Sequence, residues 1–345
     1  MEAVSIDHNV IISKLSKLNV NKSAGSDEIY PRILFEAKDQ LVCPLYILFN
    51  TSLKAKKLPD DWCKANVTPI YKKGDKNQPL NYRPISLTCI VCKVVHYSWL
   101  HYFSFVSNNL FSSQQYGFFK GRNTVIQLIK MFDIWTELLE EGGQIDVIYT
   151  DLEKAFDKVP HYRLLQKLKY YKVNLDIIAW ICSFLSNRKM RVRVNNTLSS
   201  WILVLSGIPQ GSILGPLLFI IFINDLPGFC DILSNIFLYA DDAKLFHHIK
   251  SELDCTLLQN MINKVQLWID NWHLSLNVDK CVTVSYGRNI DSSHLYHLHT
   301  GTRNDEYILQ KKTLLRILEL RFNQTYLLKI TLWIKQKKPT TYLVL

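Results

Sequence analysis

The stretch "FLYADDAKLF" (residues 237–246) places two aspartates, Asp241 and Asp242, between two apolar runs. This pattern predicts a strand, a tight acidic turn and a second strand. Paired negative charge beside apolar strands is unfavourable, because neighbouring carboxylates repel and their pKa values rise unless a cation neutralises them. An exposed hairpin turn is the simpler explanation, since aspartate is a common turn residue. The pair indicates a metal site only if other acidic residues lie nearby.

A third aspartate follows another apolar run earlier in the chain. The segment "IDVIYTDL" (145–152) is rich in β-formers and predicts a buried strand that ends at Asp151. If this strand lies beside the 237–246 hairpin in one sheet, three carboxylates come together. Hard divalent cations such as Mg²⁺ take oxygen ligands of this kind. Two such ions about 4 Å apart can stabilise the attacking and leaving oxygens of a phosphoryl displacement.

The composition is that of a folded, basic protein of 345 residues, with 48% apolar and 21% charged residues. Lys and Arg total 41 against 30 acidic residues, and the resulting net charge of +11 favours a polyanionic partner. Basic residues cluster at "YKKGDK" (71–76), "FFKGR" (118–122) and "NRKMRVR" (187–193), although solvated loops explain these clusters equally well. The candidate nucleic-acid-binding residues in the last two clusters are Lys120, Arg122, Arg188, Lys189, Arg191 and Arg193.

Neither a membrane span nor a secretion signal is evident in the sequence. The longest apolar run, "LLFIIFI" (217–223), is far shorter than the roughly 18 residues that a span needs. The first residues lack the basic and apolar regions of a signal peptide. We therefore expect an intracellular protein, cytoplasmic or nuclear, that makes no membrane contact. Its eight cysteines are expected to be reduced and mostly in the core.

The order of predicted elements favours the α+β class. Apolar residues at helical spacing predict amphipathic helices over 123–141 and 251–272. An apolar helix follows Ser212, a plausible N-cap. Residues 190–207 alternate on both sides of an Asn-Asn pair, which predicts a β-hairpin. Helices and strands do not alternate regularly, so a doubly wound sheet is disfavoured.

Together these segments resemble the catalytic boxes of reverse transcriptases. "YADD" (239–242) is preceded, in the family's order, by "YTDLEKAFDKVPH" (149–161) and "SGIPQGSILGPLLFIIFINDLP" (206–227). Farther upstream, "TPIYKKGDKNQPLNYRPISL" (68–87) and "QQYGFFKGRNT" (114–124) resemble the fingers region of non-LTR retrotransposon polymerases. The jockey-like, LINE-type group is the most similar. The resemblance extends from about residue 20 to residue 285.

This resemblance implies a right-hand polymerase whose antiparallel palm sheet carries the carboxylates and packs on helices. Residues 1–125 would form the fingers and an N-terminal extension, 126–290 the palm, and 291–345 a degenerate or truncated thumb. The implied reaction is RNA-directed DNA synthesis, with transfer of a deoxynucleotide from its triphosphate onto the 3′-OH of a DNA primer along an RNA template. The residues that would hold two Mg²⁺ ions, with Mn²⁺ as an alternative, are Asp151, Asp241 and Asp242.

Further residues acquire roles only through the resemblance. Phe156 matches the family's steric gate, an aromatic ring placed where a ribose 2′-OH would lie, although its sequence alone favours a core phenylalanine. Asp157 is expected to be a structural hydrogen-bonding residue and not a metal ligand. The other implied nucleotide-binding residues are Lys72, Lys73, Arg83, Gln210, Gly211 and Lys280, the last near the leaving pyrophosphate.

Two other functions stay open from the sequence. A catalytically inactive relic would keep the nucleic-acid-binding surface and would show salt-sensitive RNA binding without primer extension. A different metal-dependent phosphotransferase would also explain the aspartates, but it leaves "PQG" (209–211), "NYRP" (81–84) and "GFFKGR" (117–122) unexplained. A short thumb argues against processive synthesis.

Overall fold

Two five-stranded β-sheets, one two-stranded sheet and the helices packed on them make up the part of the chain that the computed structural model describes, residues 6–96, 110–195, 197–230, 235–300 and 305–312. Its helices are α1 His8–Leu15, α2 Pro31–Glu36, α3 Lys38–Ala55, α4 Thr124–Glu140, α5 Ala155–Lys158, α6 His161–Tyr170, α7 Leu175–Leu185, α8 Leu214–Ile223, α9 Leu226–Phe229 and α10 Glu252–Asn271, and residues 90–96 are also helical. Short 3₁₀ turns are Asp60–Cys63, Pro79–Asn81 and Val278–Lys280.

The strands are β1 Lys64–Tyr71, β2 Tyr82–Thr88, β3 Gln144–Thr150, β4 Lys189–Val194, β5 Thr197–Leu198, β6 Ile202–Leu203, β7 Ile236–Tyr239, β8 Asp242–Ile249, β9 Val282–Gly287, β10 His297–Thr300, β11 Asp305–Ile308 and β12 Gln310–Lys311. Strands β10 and β11 form a separate antiparallel pair. This mixture of helices and mainly antiparallel sheet confirms the predicted α+β class.

One sheet, here called the carboxylate sheet, has the strand order β12-β9-β3-β8-β7. Its central strand β3 pairs antiparallel with β8 on one side and β9 on the other. All seven residues of β3 are buried. Ile145 and Val147 pack into one apolar cluster and Ile148 into the other, because successive side chains point to opposite faces. Burial on both faces explains why this strand is a continuous apolar run in the sequence.

Helices α8 and α10 help to bury one face of this sheet. Nearly every residue of α8 is buried, as expected for a helix that is apolar on all sides. The helix begins at Leu214, two residues after the predicted N-cap Ser212. The Ser212 hydroxyl still caps the first turn, because it accepts a 3.0 Å hydrogen bond from the Gly215 amide. Helix α10 buries a stripe that includes Leu258 and Ile262, and Ser251 and Asp254 form a capping box at its start.

The second sheet, here called the basic sheet, has the order β2-β1-β4-β5, with β6 also paired to β4. Strands β1 and β2 are antiparallel, whereas β1 and β4 are parallel. The predicted hairpin is present, because Arg193 of β4 pairs with Leu198 of β5. The Ser86 amide on the outer edge of β2 donates a 2.8 Å hydrogen bond to the Gln210 carbonyl. This bond joins the basic sheet to the loop before α8.

The division into fingers, palm and thumb at residues 125 and 290 stays a prediction. Strand β12 pairs in parallel with β9, so the carboxylate sheet includes residues past position 290. The remainder of the predicted thumb, from residue 313, lies outside the described residues. All eight cysteines are described and free, and five of them are buried, as predicted. None of the helices within the described ranges has the length and hydropathy of a membrane span.

Candidate active site

Strand pairing brings the three predicted aspartates to one edge of the carboxylate sheet. Thr150, the last residue of β3, pairs with Ala243 of β8. Asp151 follows Thr150 directly, and Asp242 precedes Ala243 as the first residue of β8. Asp241 lies in the two-residue turn that connects β7 to β8. The prediction that the two acidic segments lie on adjacent strands is therefore confirmed.

The negative charges of these aspartates affect one another. The pKa of Asp241 is raised to about 6, mainly by burial, then by the charge of Asp242, with a smaller contribution from Asp151. The positive charge of Lys280 opposes this rise. A carboxyl that is buried beside like charges holds its proton more tightly, because the ionised form is destabilised in both ways. The site thus has unbalanced negative charge that an added cation would relieve.

Lys280 lies against this cluster. Its ammonium donates a hydrogen bond to Asp151 Oδ2 and forms an ion pair with it. The loop before Lys280 runs along the end of β3, where the Asn277 amide donates to the Asp151 carbonyl at 2.8 Å and the Glu153 amide donates to the Ser275 carbonyl at 2.8 Å. These backbone hydrogen bonds fix the position of the loop that carries Lys280 relative to the end of β3. Its side chain supplies positive charge at Asp151.

The donor set fits a hard divalent cation. Carboxylate oxygens that repel one another at a partly open edge are ligands that Mg²⁺ prefers. As they stand, with Lys280 paired to Asp151, no group of three or more His, Cys, Asp or Glu side chains in the described ranges is placed to hold a metal ion. The Lys280 ion pair occupies one oxygen of Asp151, so Asp151 would exchange this ammonium for a cation. Asp151, Asp241 and Asp242 are the residues that could hold it.

The loop at 206–211 is fixed by Asp157. The Gln210 side-chain amide donates a 3.0 Å hydrogen bond to Asp157 Oδ1, and the Ser206 hydroxyl donates to the Asp157 carbonyl at 3.1 Å. Gly207 has a φ of +84°, and a Cβ there would lie 2.5 Å from the Asp157 carbonyl oxygen. Asp157 is therefore a structural hydrogen-bonding residue, as predicted. It orients the Gln210 side chain.

Phe156 lies between a buried ring and an exposed ring. It stacks on Phe219 of α8 with ring centroids 4.7 Å apart, and Phe118 meets it edge-on at 6.3 Å. Phe118 is 56% exposed, whereas Phe119 packs against Phe111 at 5.0 Å. Phe118 is thus an exposed ring beside Phe156, available to stack on a base. The stack on Phe219 holds the Phe156 ring in a fixed place, five residues after Asp151 in the chain.

Comparison with known proteins decides the family. Residues 70–343 match the family model described as "Reverse transcriptase (RNA-dependent DNA polymerase)". The chain belongs to this family. The resemblance that the order of the sequence boxes suggested is therefore supported over most of the chain.

Relatives of this chain include the RNA-directed DNA polymerase from mobile element jockey of Drosophila melanogaster, which is 29% identical over 312 residues, 85% of this chain and 33% of the relative. The jockey enzyme of Drosophila funebris is 30% identical over 83% of this chain and 33% of the relative. The probable enzyme from transposon X-element of Drosophila melanogaster is 27% identical over 77% and 30%, respectively. The chain thus spans about a third of the length of these relatives.

The fold is shared with a solved structure described as apo telomerase from Candida tropicalis truncated from its C-terminal domain. The TM-score is 0.51 at 11% identity, over 84% of this chain and 63% of that chain. The likeness shows a common fold, in agreement with the expected polymerase architecture.

The basic sheet collects positive charge on one face. Asn66 of β1 pairs with Arg191 of β4, and Ile70 of β1 pairs with Arg83 of β2. Because side chains alternate along each strand, these four residues share a face. Alternation places further basic residues on this face, namely Lys64, Lys189 and Arg193.

The same register separates Lys72 from Lys73. The Lys72 amide donates a 2.9 Å hydrogen bond to the Asn81 carbonyl, which continues the β1–β2 ladder by one residue. Two residues after Ile70, Lys72 falls on the face that carries Arg83. Lys73 follows in the turn. The structure therefore places Lys72, and not Lys73, on the same face of the hairpin as Arg83.

The assignment of Arg188 to a phosphate-binding surface is wrong. Only 2% of Arg188 is exposed, and its guanidinium donates to the Phe184 carbonyl at 3.0 Å and to the Trp62 carbonyl at 3.4 Å. It also packs on the Phe184 ring at 4.6 Å. Burial lowers the pKa of this arginine. The basic run at 187–193 does not reveal that its first arginine, just after α7, points into the protein.

The other basic candidates differ in how their donors are used. Arg122 donates to the Ser112 and Gln115 carbonyls at 2.9 and 2.6 Å, which makes it a brace for its own loop. Arg191 donates to Asn66 Oδ1 at 2.8 Å and stacks on Trp201 at 4.4 Å. The exposed candidates are Lys120, Lys189 and Arg193.

One site residue was missed by sequence reasoning. Gln115 lies in the segment that resembles the fingers region, yet it is buried and hydrogen-bonds the turn that carries Asp241. Nothing in the sequence distinguishes it from the adjacent Gln114, because the contact depends on a partner 125 residues away.

Proposed function

We propose that this chain catalyses RNA-directed DNA synthesis as the reverse transcriptase region of a jockey-like, non-LTR retrotransposon polyprotein. Its substrates would be deoxynucleoside triphosphates, a DNA primer and an RNA template. The observation that carries the proposal is the pairing of β3 with β8, which brings Asp151 beside Asp241 and Asp242. Family membership, the raised pKa of Asp241 and the basic face of the second sheet support it.

Asp151, Asp241 and Asp242 would hold two Mg²⁺ ions, which supply charge neutralisation and activation of the primer hydroxyl when bound. The contribution of the protein is to hold these oxygens at a fixed edge of a buried sheet. Preorganised charge of this kind lowers the barrier, because little reorganisation is needed in the transition state.

Lys280 would act on the triphosphate side of the site. Its ion pair with Asp151 keeps the ammonium at the carboxylate edge in the absence of substrates. Binding of a cation at Asp151 would release this ammonium, and a triphosphate would then offer it a new anionic partner. The same side chain could thus balance charge before and after substrate binding.

Nucleotide selection would depend on Phe156, Gln210 and the β1–β2 hairpin. The stack on Phe219 gives the Phe156 ring a fixed place, so it could exclude a 2′-OH by steric contact. Asp157 orients Gln210, and the approach of Gly211 to the Ser86 carbonyl leaves no room for a Cβ. Lys72 and Arg83 would bind phosphate oxygens, a task that suits the planar guanidinium of arginine.

Primer extension on an RNA template with Mg²⁺ tests the proposal. The purified chain should add deoxynucleotides, and Asp241→Ala should abolish the addition. Asp133→Ala is a matched control, because Asp133 is exposed on α4 and outside the site. Salt-sensitive RNA binding without extension at any Mg²⁺ or Mn²⁺ concentration would instead support the inactive, nucleic-acid-binding relic.

A further inference from the structure

The turn that carries Asp241 has an unusual backbone. Ala240 has a φ of +57°, in the left-handed region that residues other than glycine rarely adopt. It is also buried, with 6% of its surface exposed. Its amide and carbonyl must therefore find partners inside the protein. The group that supplies those partners therefore also sets the backbone position of the next residue, Asp241.

Gln115 supplies both partners. Its Oε1 accepts hydrogen bonds from the Ala240 amide at 2.9 Å and from the Gly117 amide at 2.7 Å. Its Nε2 donates to the Ala240 carbonyl at 3.3 Å. The side chain is 1% exposed. One buried amide thus grips the peptide groups on both sides of the Ala240 Cα.

The backbone around Gln115 is itself fixed to β7. The Leu238 amide donates to the Gln114 carbonyl at 2.9 Å, and the Tyr116 amide donates to the Leu238 carbonyl at 2.9 Å. A Cβ on Gly117 would lie 2.4 Å from the Ala240 nitrogen, so this close approach requires glycine. The segment therefore lies against the turn at backbone distance.

We propose that Gln115 is a positioning residue that holds the Ala240 turn and thereby fixes Asp241 and Asp242 relative to Asp151. This inference rests on the proposed function, because it assigns Gln115 a part in the same reaction. Gln115 does not touch substrate; it acts through the turn. Loss of its three hydrogen bonds would let the turn relax from the left-handed conformation and shift the aspartates away from the end of β3.

Gln144 offers a matched control for a purely structural role. It is also a buried glutamine, 5% exposed, with three side-chain hydrogen bonds, to Asp146 Oδ1 and to the Asp291 carbonyl and amide. It lies at the first residue of β3, whereas Asp151 follows the last. Gln115→Met and Gln144→Met therefore remove the same chemistry at opposite ends of one sheet.

Both variants should lower the melting temperature to a similar extent. In single-turnover primer extension, Gln115→Met should lower the rate constant by about 10- to 100-fold, the range typical of residues that orient metal ligands, with the Kd for primer–template unchanged. Gln144→Met should keep the wild-type rate constant. Gln115→Asn, which keeps an amide but is one methylene too short to reach Ala240, serves if Gln115→Met does not fold and should be equally slow.

Amide hydrogen exchange tests the grip without any catalysis. Exchange at Ala240 and Asp241 should accelerate in the Gln115 variants and not in Gln144→Met. If the wild-type chain extends no primer, the proposed function fails while this measurement still tests the grip. A folded Gln115→Met or Gln115→Asn protein with the wild-type rate constant, or with unchanged exchange at Ala240, would overturn the inference.

Discussion

The two five-stranded sheets of this chain carry charge in opposite ways. The central strand of the carboxylate sheet is buried on both faces, and the three aspartates gather at one edge of that sheet, where the pKa of Asp241 is raised, mainly by burial, to about 6. The basic sheet leaves Lys189 and Arg193 in solvent and exposes apolar residues such as Leu203 and Ile202. One sheet confines like charge at a stability cost, whereas the other spreads charge where water screens it.

This difference indicates different tasks. A reaction that depends on charge stabilisation needs groups fixed before the substrate arrives. Sequence-independent attraction of a polyanion needs only accessible positive charge and tolerates mobile side chains. The predictions below change one sheet or the other, in order of decreasing effect.

The largest effect is expected for Asp241→Asn. Loss of one cation-binding oxygen should lower the rate constant for extension at least about a thousandfold, since metal-assisted charge stabilisation is worth several kcal/mol. The same substitution should raise the stability of the cation-free protein by about 3 kcal/mol at pH 7.5, the cost of ionising a carboxyl whose pKa is raised from 3.8 to about 6. Urea unfolding and single-turnover extension measure the two effects.

The sign of the stability change follows from the pKa. The folded-state pKa of Asp241, about 6, lies above that of an ordinary aspartate, so ionisation is less favourable in the folded protein. The folded protein therefore loses stability as the pH rises from about 4 to about 6, and it does not recover that stability above pH 6. An amide removes this loss. Asp241→Asn destabilised at pH 7.5, or active, would contradict the account.

A smaller effect is expected at the β1–β2 hairpin. Arg83→Gln should raise the KM for deoxynucleotides by about 10- to 100-fold, the loss expected for one charge-assisted contact of about 1.5–3 kcal/mol. Lys72→Gln should act in the same direction. Lys73→Gln is the control and should change KM less than twofold, because the register places Lys72 and not Lys73 beside Arg83. An equal effect of both lysine substitutions would remove the basis for preferring Lys72.

Exposed charge on the basic sheet should govern salt dependence. For RNA binding, log K falls linearly with log salt concentration. A Lys189→Gln, Arg193→Gln double variant should make this slope less steep by about 1.5, since each lost phosphate contact contributes about 0.7–0.9 to it. Arg188→Met should lower the melting temperature and leave that slope unchanged, because the Arg188 guanidinium is buried. Filter binding across a salt series measures the slope, and an unchanged slope in the double variant would exclude this face.

The smallest effect concerns Lys280. Because its ammonium competes for Asp151, Lys280→Met should tighten Mn²⁺ binding about two- to fivefold in the absence of nucleotide, as expected for a partly exposed ion pair worth up to about 1 kcal/mol. Electron paramagnetic resonance of free Mn²⁺ gives the affinity. Lys264→Met, on α10, is a control outside the site. Weaker binding by Lys280→Met would mean that Lys280 supports the cation site and does not compete with it.

Periodicity was enough to predict most of the fold. The apolar run of β3 and the alternation on both sides of the 195–196 pair depend on local burial patterns, which a sequence displays directly. The meeting of Asp151 with Asp241 was predictable as well, because each follows a strand and the strands are long enough to pair. That prediction depended on the order of the sequence boxes, because two adjacent aspartates alone are common in turns.

Contacts made by single side chains over long distances were not predictable. Arg188 belongs to a basic run, and only the packing of Trp62 and Phe184 reveals that it points inward. Gln115 was given no role, because its partner Ala240 lies in a different box. Such residues depend on tertiary register, which the local pattern does not contain.

Binding of Mn²⁺ to a double-mutant set tests the central claim most directly. Asp151→Asn and Asp241→Asn change residues 90 positions apart in the sequence, and each should weaken Mn²⁺ binding at least about tenfold. If both carboxylates serve one site, the double variant should bind no more weakly than about the worse single variant, a departure from additivity typical of residues in one network. Strictly additive effects, or normal binding by either single variant, would show that the two aspartates do not share a cation site.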